Sequence, residues 1–165
     1  MKVICLVIVS LVLLAFTNNK KSLLTAKYCG TYFYSFPDVD AAFRCAEIYP
    51  ETDTTVLFYL SLNRGAPTYG MGQLYGRAHL VNGVGTYNSI DSDDCRLKLR
   101  FCQDSLIIES IDGKYSCPYF VFHVLADGNY IKLKNKCEDF FIDLGNDTTY
   151  FGVDPKTWGL RGVNK

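Results

Sequence analysis

The residues best suited to chemistry lie in one short stretch with the sequence RGAPTY, which begins at Arg64. Arg64 offers a guanidinium that can pair with carboxylates, and Tyr69 offers a ring and a hydroxyl group. Pro67 restricts the backbone and so limits the flexibility of the stretch. Arg and Tyr are both enriched at the energetic centres of protein interfaces. The stretch predicts a rigid partner-binding loop that contains Arg64, Gly65, Thr68 and Tyr69.

The length of this loop has a second explanation. A hairpin needs only about two to five connecting residues here, and residues 63–70 exceed that length. A long turn between two strands, without a binding role, is therefore the alternative interpretation.

Six cysteines follow the N-terminal apolar segment, and in an exported chain their even number predicts disulfides. Their spacing includes no CxxC or CxxH, so neither a zinc site nor a redox pair is expected. Six cysteines allow 15 pairings, and the single pairing that we select is Cys95 with Cys117. Two turns of an antiparallel meander would return the chain to the same end of the sheet there. The disulfide candidates are Cys29, Cys45, Cys95, Cys102, Cys117 and Cys137.

The sequence supplies little for catalysis. His79 and His123 are the only histidines, and two histidines without a spaced third ligand make a poor metal site. The sequence contains no GxSxG, HExxH or P-loop motif. We therefore expect no catalytic residue, no metal and no cofactor, and a protein that is not an enzyme.

The N-terminus has the pattern of a secretory signal. Lys2 precedes an apolar run, residues 3–16, which falls short of the roughly 20 residues of a spanning helix. We expect cleavage after Thr17, which divides the chain into a signal peptide, residues 1–17, and a single domain, residues 18–165. The expected location is secreted or periplasmic, without stable membrane insertion after cleavage.

The charge is balanced, with 17 basic and 17 acidic residues. Loss of Lys2 with the signal leaves 16 against 17, a net charge of −1. So weak a field argues against nucleic acid and against anionic membranes as partners. The expected partner is a protein that is recognised by its shape.

Apolar and polar residues alternate along most of the chain, which is typical of half-buried strands. In CRLKLRF, Leu97 and Leu99 share one face and Lys98 lies on the other. The pattern predicts an all-β fold, a single small antiparallel β-barrel or barrel-like sandwich of about eight to nine strands. The predicted strand segments include residues 38–49, 55–62, 95–101, 105–111, 119–125, 130–134 and 140–144.

From Met71 onward, one face of a predicted strand is small and apolar, with Gly72 and Gly76 among its residues. We expect this face to point inward, where its small residues let the strand coil tightly or leave room for an aromatic ring from across the core. The opposite face, which includes Tyr75, is expected to be exposed to solvent. Farther along, Asn146-Asp147-Thr148 is a glycosylation sequon, which has meaning only in a host that glycosylates exported proteins.

Two segments carry a family resemblance: YPETDTTVLFYLSLNRGAPTYGMGQLYGRAHL, and CRLKLRF with the later cysteine and ADGNYIK. They resemble a family of small, uncharacterised secreted bacterial β-proteins over roughly residues 28–134. The general plan also resembles the small β-barrel lysozyme inhibitors of Gram-negative envelopes, whose Ser-Gly-x-x-Tyr loop enters the lysozyme cleft. The nearest string here has Arg64 in place of Ser and one extra residue before Tyr69.

The resemblance implies an exported inhibitor of a lysozyme-type glycosidase. Arg64 would pair with a carboxylate of the cleft while Tyr69 packs on its rim. A small-ligand carrier is the alternative function, with aromatic residues lining the interior of the barrel to bind a lipid or a sugar. The aromatic residues suited to that role are Tyr34, Phe58, Phe101, Phe120 and Phe122.

Overall fold

The computed structural model describes residues 23–89, 95–111, 117, 120 and 124–158. Eight antiparallel strands follow one another around a closed barrel, and β1 pairs with β8 to complete it. The strands are β1 (Gly30–Ser35), β2 (Phe43–Pro50), β3 (Thr55–Asn63), β4 (Met71–Val81), β5 (Val84–Asn88), β6 (Arg96–Phe101), β7 (Ser105–Ser110) and β8 (Gly128–Lys134). The predicted single antiparallel barrel is confirmed.

Three shorter elements lie outside the ring of strands. A 3₁₀ helix, Leu24–Tyr28, precedes β1, and a two-stranded hairpin of β9 (Phe140–Ile142) and β10 (Thr148–Tyr150) follows β8. A one-turn helix, α1 (Pro155–Trp158), follows the hairpin. Within the ranges described, no helix has the length and apolar character needed to cross a membrane.

The alternation of apolar and polar residues along the strands separates an interior filled by side chains from the outer surface of the barrel. On β6, Leu97 and Leu99 are buried in the core, whereas Arg96 and Arg100 are exposed. The face assignment for CRLKLRF is therefore confirmed. The interior core also takes in large side chains from other strands, among them Tyr32, Phe58, Leu60, Tyr87, Leu106 and Tyr130.

Three predicted strand segments are wrong in part, and the smallest of these differences is in residues 140–144, where β9 ends at Ile142. Residues 38–42 form turns, and β2 begins only at Phe43. In residues 119–125, Phe120 makes only an isolated bridge to Gly72, and Val124 lies outside any strand. The physical reason is that β7 and β8 pair with each other, so the closed barrel leaves no edge between them for another strand. His123 and Phe122 lie outside the described residues.

The outer face of β3 is also buried, as is the middle of the outer face of β4 around Tyr75, because the β9–β10 hairpin packs there. The Tyr59 ring stacks on Phe141 at a centroid distance of 4.0 Å. The Tyr75 hydroxyl donates to the carbonyl oxygens of Phe151 and Val153, both at 2.9 Å. The expectation that Tyr75 faces water is therefore wrong, since the hairpin covers it.

The inner face of β4 has no side chain at Gly76, as the sequence predicts, but the rings that use this space come from the neighbouring strands β3 and β5 and not from across the core. Phe58 and Tyr87 meet edge to face over Gly76, with ring centroids 5.2 Å apart. A Cβ atom on Gly76 would lie 2.7 Å from each ring. The missing side chain therefore makes room for the two rings.

Two disulfides connect distant parts of the barrel. Cys95 pairs with Cys117, as predicted, and ties the start of β6 to the β7–β8 connection. Cys29 pairs with Cys137 and joins the residue before β1 to a residue beyond β8. The second disulfide therefore fastens the two strands that close the barrel.

Cys45 and Cys102 are free thiols, so the expectation that all six cysteines pair is corrected. Cys45 lies on β2 and Cys102 follows β6, and these strands are four apart in either direction around the barrel. A disulfide needs Cα atoms within about 7 Å, which opposite walls do not allow. Burial raises the pKa of the Cys45 thiol to about 12, which keeps it protonated and unreactive.

We expect Gly76→Ala to lower the free energy of unfolding by about 1–3 kcal/mol, because the new methyl group overlaps two packed rings. Gly152→Ala is the matched control, since no atom lies within 4 Å of its added Cβ. Urea unfolding of both variants measures the difference. Equal stability of the two variants would contradict the close packing at Gly76.

We expect loss of Cys29–Cys137 to cost more stability than loss of Cys95–Cys117, because the first closes a span of 108 residues and the second a span of 22. Chain entropy places these costs at about 5 and about 3 kcal/mol. Paired Cys→Ala variants in urea test this order, with Cys102→Ser as a near-neutral control. The reverse order would count against the role of Cys29–Cys137 in holding the barrel closed.

Candidate partner-binding platform

Two connections lie side by side at one end of the barrel and form a surface that we call the platform. The first joins β1 to β2 and covers residues 36–42, and the second joins β3 to β4 and covers residues 64–70. Because consecutive antiparallel strands run in opposite directions, alternate connections emerge at the same end. The N-terminal 3₁₀ helix lies near the opposite end, where the Thr25 hydroxyl donates to the carbonyl oxygen of Thr52 at 2.6 Å.

The second connection is held by its own hydrogen bonds. The Arg64 amide donates to the Gly70 carbonyl oxygen and the Tyr69 amide to the Gly65 carbonyl oxygen, both at 2.8 Å. At the base, buried Asn63 accepts from the Gly65 amide through Oδ1 at 2.8 Å. These bonds give the loop one defined shape without a partner.

The two connections of the platform also bind each other through Asp40. The Ala66 amide donates to the Asp40 carbonyl oxygen at 3.1 Å, and the Tyr69 hydroxyl donates to Asp40 Oδ2 at 3.3 Å. Gly65 lies at this contact with φ +76°, and a Cβ there would overlap the Asp40 carbonyl oxygen and lie 2.9 Å from Ala42 Cβ. Only glycine fits both the conformation and the space.

Arg44 anchors the first connection to the barrel beneath it. Its guanidinium lies 4.7 Å from the Phe36 ring centroid and 5.2 Å from that of Tyr34, and Nη1 donates to the Asp127 carbonyl oxygen. The Asp127 carboxylate accepts from the Ser110 amide and hydroxyl, both at 2.7 Å. The platform is thus connected through β2 to the ends of β7 and β8.

The platform and its border with β4 present apolar and charged groups to solvent. Tyr69 is 50% exposed, Met71 at the start of β4 is 44% exposed, and Val39 is 37% exposed. Arg64 and Asp40 are exposed beside them. Exposed aromatic and apolar side chains near charged groups are a composition found in protein interfaces.

The structure brings the four predicted loop residues together but gives them different roles. Arg64, Thr68 and Tyr69 are exposed, whereas Gly65 is buried at the base. No local pattern in the sequence indicates the contribution of Asp40, because its contacts join residues far apart in the chain. The turn-forming residues of SFPDVD, which precede β2, indicate only that a second connection lies there.

The remaining candidate residues do not assemble into a reactive site. His79 is exposed on the outer face of β4. Among the residues described, no group of three or more His, Cys, Asp or Glu side chains is arranged to hold a metal ion. The described aromatic residues proposed to line a ligand cavity are part of the core or pack against it: Tyr34, Phe58, Phe101 and Phe120.

Comparison with protein-family models, with curated proteins and with solved structures finds no match for this chain. The resemblance to secreted bacterial proteins and to lysozyme inhibitors therefore stays a prediction from the sequence. Function is inferred from the geometry of the platform.

We expect Gly65→Ala to loosen the platform and to cost about 1–3 kcal/mol, because alanine is strained at φ +76° and overlaps Asp40. Amide hydrogen exchange at Ala66 and Tyr69 should accelerate, since both amides are hydrogen-bonded across this site. Thr68→Ala is the control within the same loop, because exposed Thr68 makes no hydrogen bond to any described residue. Unchanged protection in Gly65→Ala would contradict the rigid loop.

Proposed function

We propose that this protein is an exported, non-enzymatic binding protein that engages a partner protein through the platform. The observation that carries the proposal is half-exposed Tyr69, held in place by hydrogen bonds to Gly65 and Asp40. A side chain that is ordered before binding loses little conformational entropy when the partner arrives. Tyr is also among the residues that most often dominate interface energies.

Export is supported by the two disulfides, which indicate an oxidising compartment. The proposed location is secreted or periplasmic, with residues 1–17 as the signal. Without a strong charge of either sign, the chain has no electrostatic basis for binding nucleic acid.

The partner that we propose is a glycosidase of the lysozyme type. Its cleft holds two catalytic carboxylates, and Arg64 on the platform would form charge-assisted hydrogen bonds with one of them. Tyr69 follows Arg64 in the same loop and would pack on the rim of the cleft.

The interior of the barrel offers less support for a small-ligand carrier. Phe58, Leu60, Leu62 and Tyr130 have exposed fractions of 0%, so side chains of the protein occupy the space. The Tyr130 hydroxyl donates to the Ala126 carbonyl oxygen at 2.6 Å and is satisfied internally. Small barrels are usually filled in this way.

A bacterial-wall lysis assay tests the proposal, with residues 18–165 added to lysozymes of the animal c, g and i types. We expect dose-dependent protection and a loss of at least about tenfold in inhibition for Arg64→Ala, equivalent to about 1.4 kcal/mol. The control is Arg100→Ala, which removes an exposed arginine of β6 that pairs with Glu109 outside the platform.

Two results would count against this proposal. No protection against any of the three enzymes would exclude lysozyme inhibition. Equal inhibition by Arg64→Ala and Arg100→Ala would remove Arg64 from the interaction.

A further inference from the structure

The tip of the β9–β10 hairpin carries a modification site. We propose that Asn146 is the acceptor of an N-linked glycan in a cell that transfers oligosaccharides to exported chains. The sequon Asn146-Asp147-Thr148 is the only N-x-S/T sequence in the chain. The inference rests on the proposed secreted location and does not depend on which partner the platform binds.

Asp143 determines the shape of the hairpin turn. Its Oδ1 accepts from the amides of Gly145 and Asp147, at 2.8 and 3.0 Å. Its carbonyl oxygen accepts from the Asn146 amide at 2.9 Å. The turn is therefore complete without any contribution from the Asn146 side chain.

Asn146 stands at the tip with φ +63°, a conformation that asparagine tolerates well in turns. It is exposed, and its carboxamide makes no hydrogen bond to any residue that the structure describes. Thr148, whose hydroxyl completes the sequon, is also exposed. Both side chains that define the acceptor site are thus on the surface and uncommitted to the fold.

The folded hairpin has room for a glycan, because it packs through its other face. Phe141 and Phe151 are each 1% exposed, and Thr149 between the outward-facing residues of β10 is 2% exposed. A sugar on Asn146 projects from the tip into water and displaces none of these contacts. The chain can therefore fold with the glycan attached.

The donor is an oligosaccharide joined to a lipid pyrophosphate, and the transfer is catalysed by the cell's oligosaccharyl transferase. Nδ2 of Asn146 forms a bond with the anomeric carbon of the first sugar, while the bond from that carbon to the pyrophosphate oxygen breaks. The nitrogen loses one proton and the lipid pyrophosphate leaves. No group is oxidised or reduced.

The test is expression of the chain in a eukaryotic secretory cell line, both with its own N-terminus and with residues 1–17 replaced by a signal that those cells use. We expect a single added glycan mass, removed by peptide N-glycosidase with conversion of residue 146 to aspartate. Asn146→Gln and Thr148→Ala should abolish the added mass. Thr148→Ser, which keeps the sequon, should retain it.

Asn129→Gln is the matched control, because Asn129 is an exposed asparagine of β8 outside any sequon. This variant should carry the same glycan mass as the unchanged chain. Protein recovered from the secretory lumen or the medium with unmodified Asn146 would overturn the proposal. A glycan that persists in Thr148→Ala would also overturn it.

Discussion

The pairing of β1 with β8 is the constraint on which the rest of the structure depends, because it turns a row of strands into a closed barrel. The junction requires glycine at the start of β1, where Gly30 has φ +138° and a Cβ would overlap the Lys134 carbonyl oxygen. The neighbouring Cys29 then bonds to Cys137 and fastens the junction covalently. Closure removes the unpaired edges of the sheet and defines an inside for the alternating apolar residues.

Closure also explains why the platform is rigid. With eight strands returning in sequence, the β1–β2 and β3–β4 connections emerge together, and Asp40 joins them. Arg44, on β2, donates a hydrogen bond to the Asp127 carbonyl oxygen and so links the platform to the start of β8. The loop that presents Tyr69 is therefore supported by the wall of the barrel as well as by its own turn.

Much of the barrel follows from local patterns, whereas the contacts between distant segments do not. Alternation in β6, the small inner face around Gly76 and the Cys95–Cys117 pairing are readable because each follows from the period of a strand or the course of a meander. The burial of Tyr75 depends on a hairpin more than sixty residues away. The alternation of apolar and polar residues in its own strand does not indicate that this hairpin covers it. The role of Asp40 is hidden for the same reason, since its partners Ala66 and Tyr69 lie on another connection.

The central claim is that the platform, rather than the β9–β10 hairpin on the outside of the barrel, binds a partner protein, and site-specific photo-crosslinking tests it most directly. A photo-reactive phenylalanine analogue replaces Tyr69 in one variant and Tyr150 in another, since these tyrosines are similarly exposed at 50% and 58%. Each variant is irradiated in the exported fraction of the producing organism. The account predicts a protein adduct from position 69 that is absent from position 150. No adduct from position 69, or equal adducts from both positions, would contradict it.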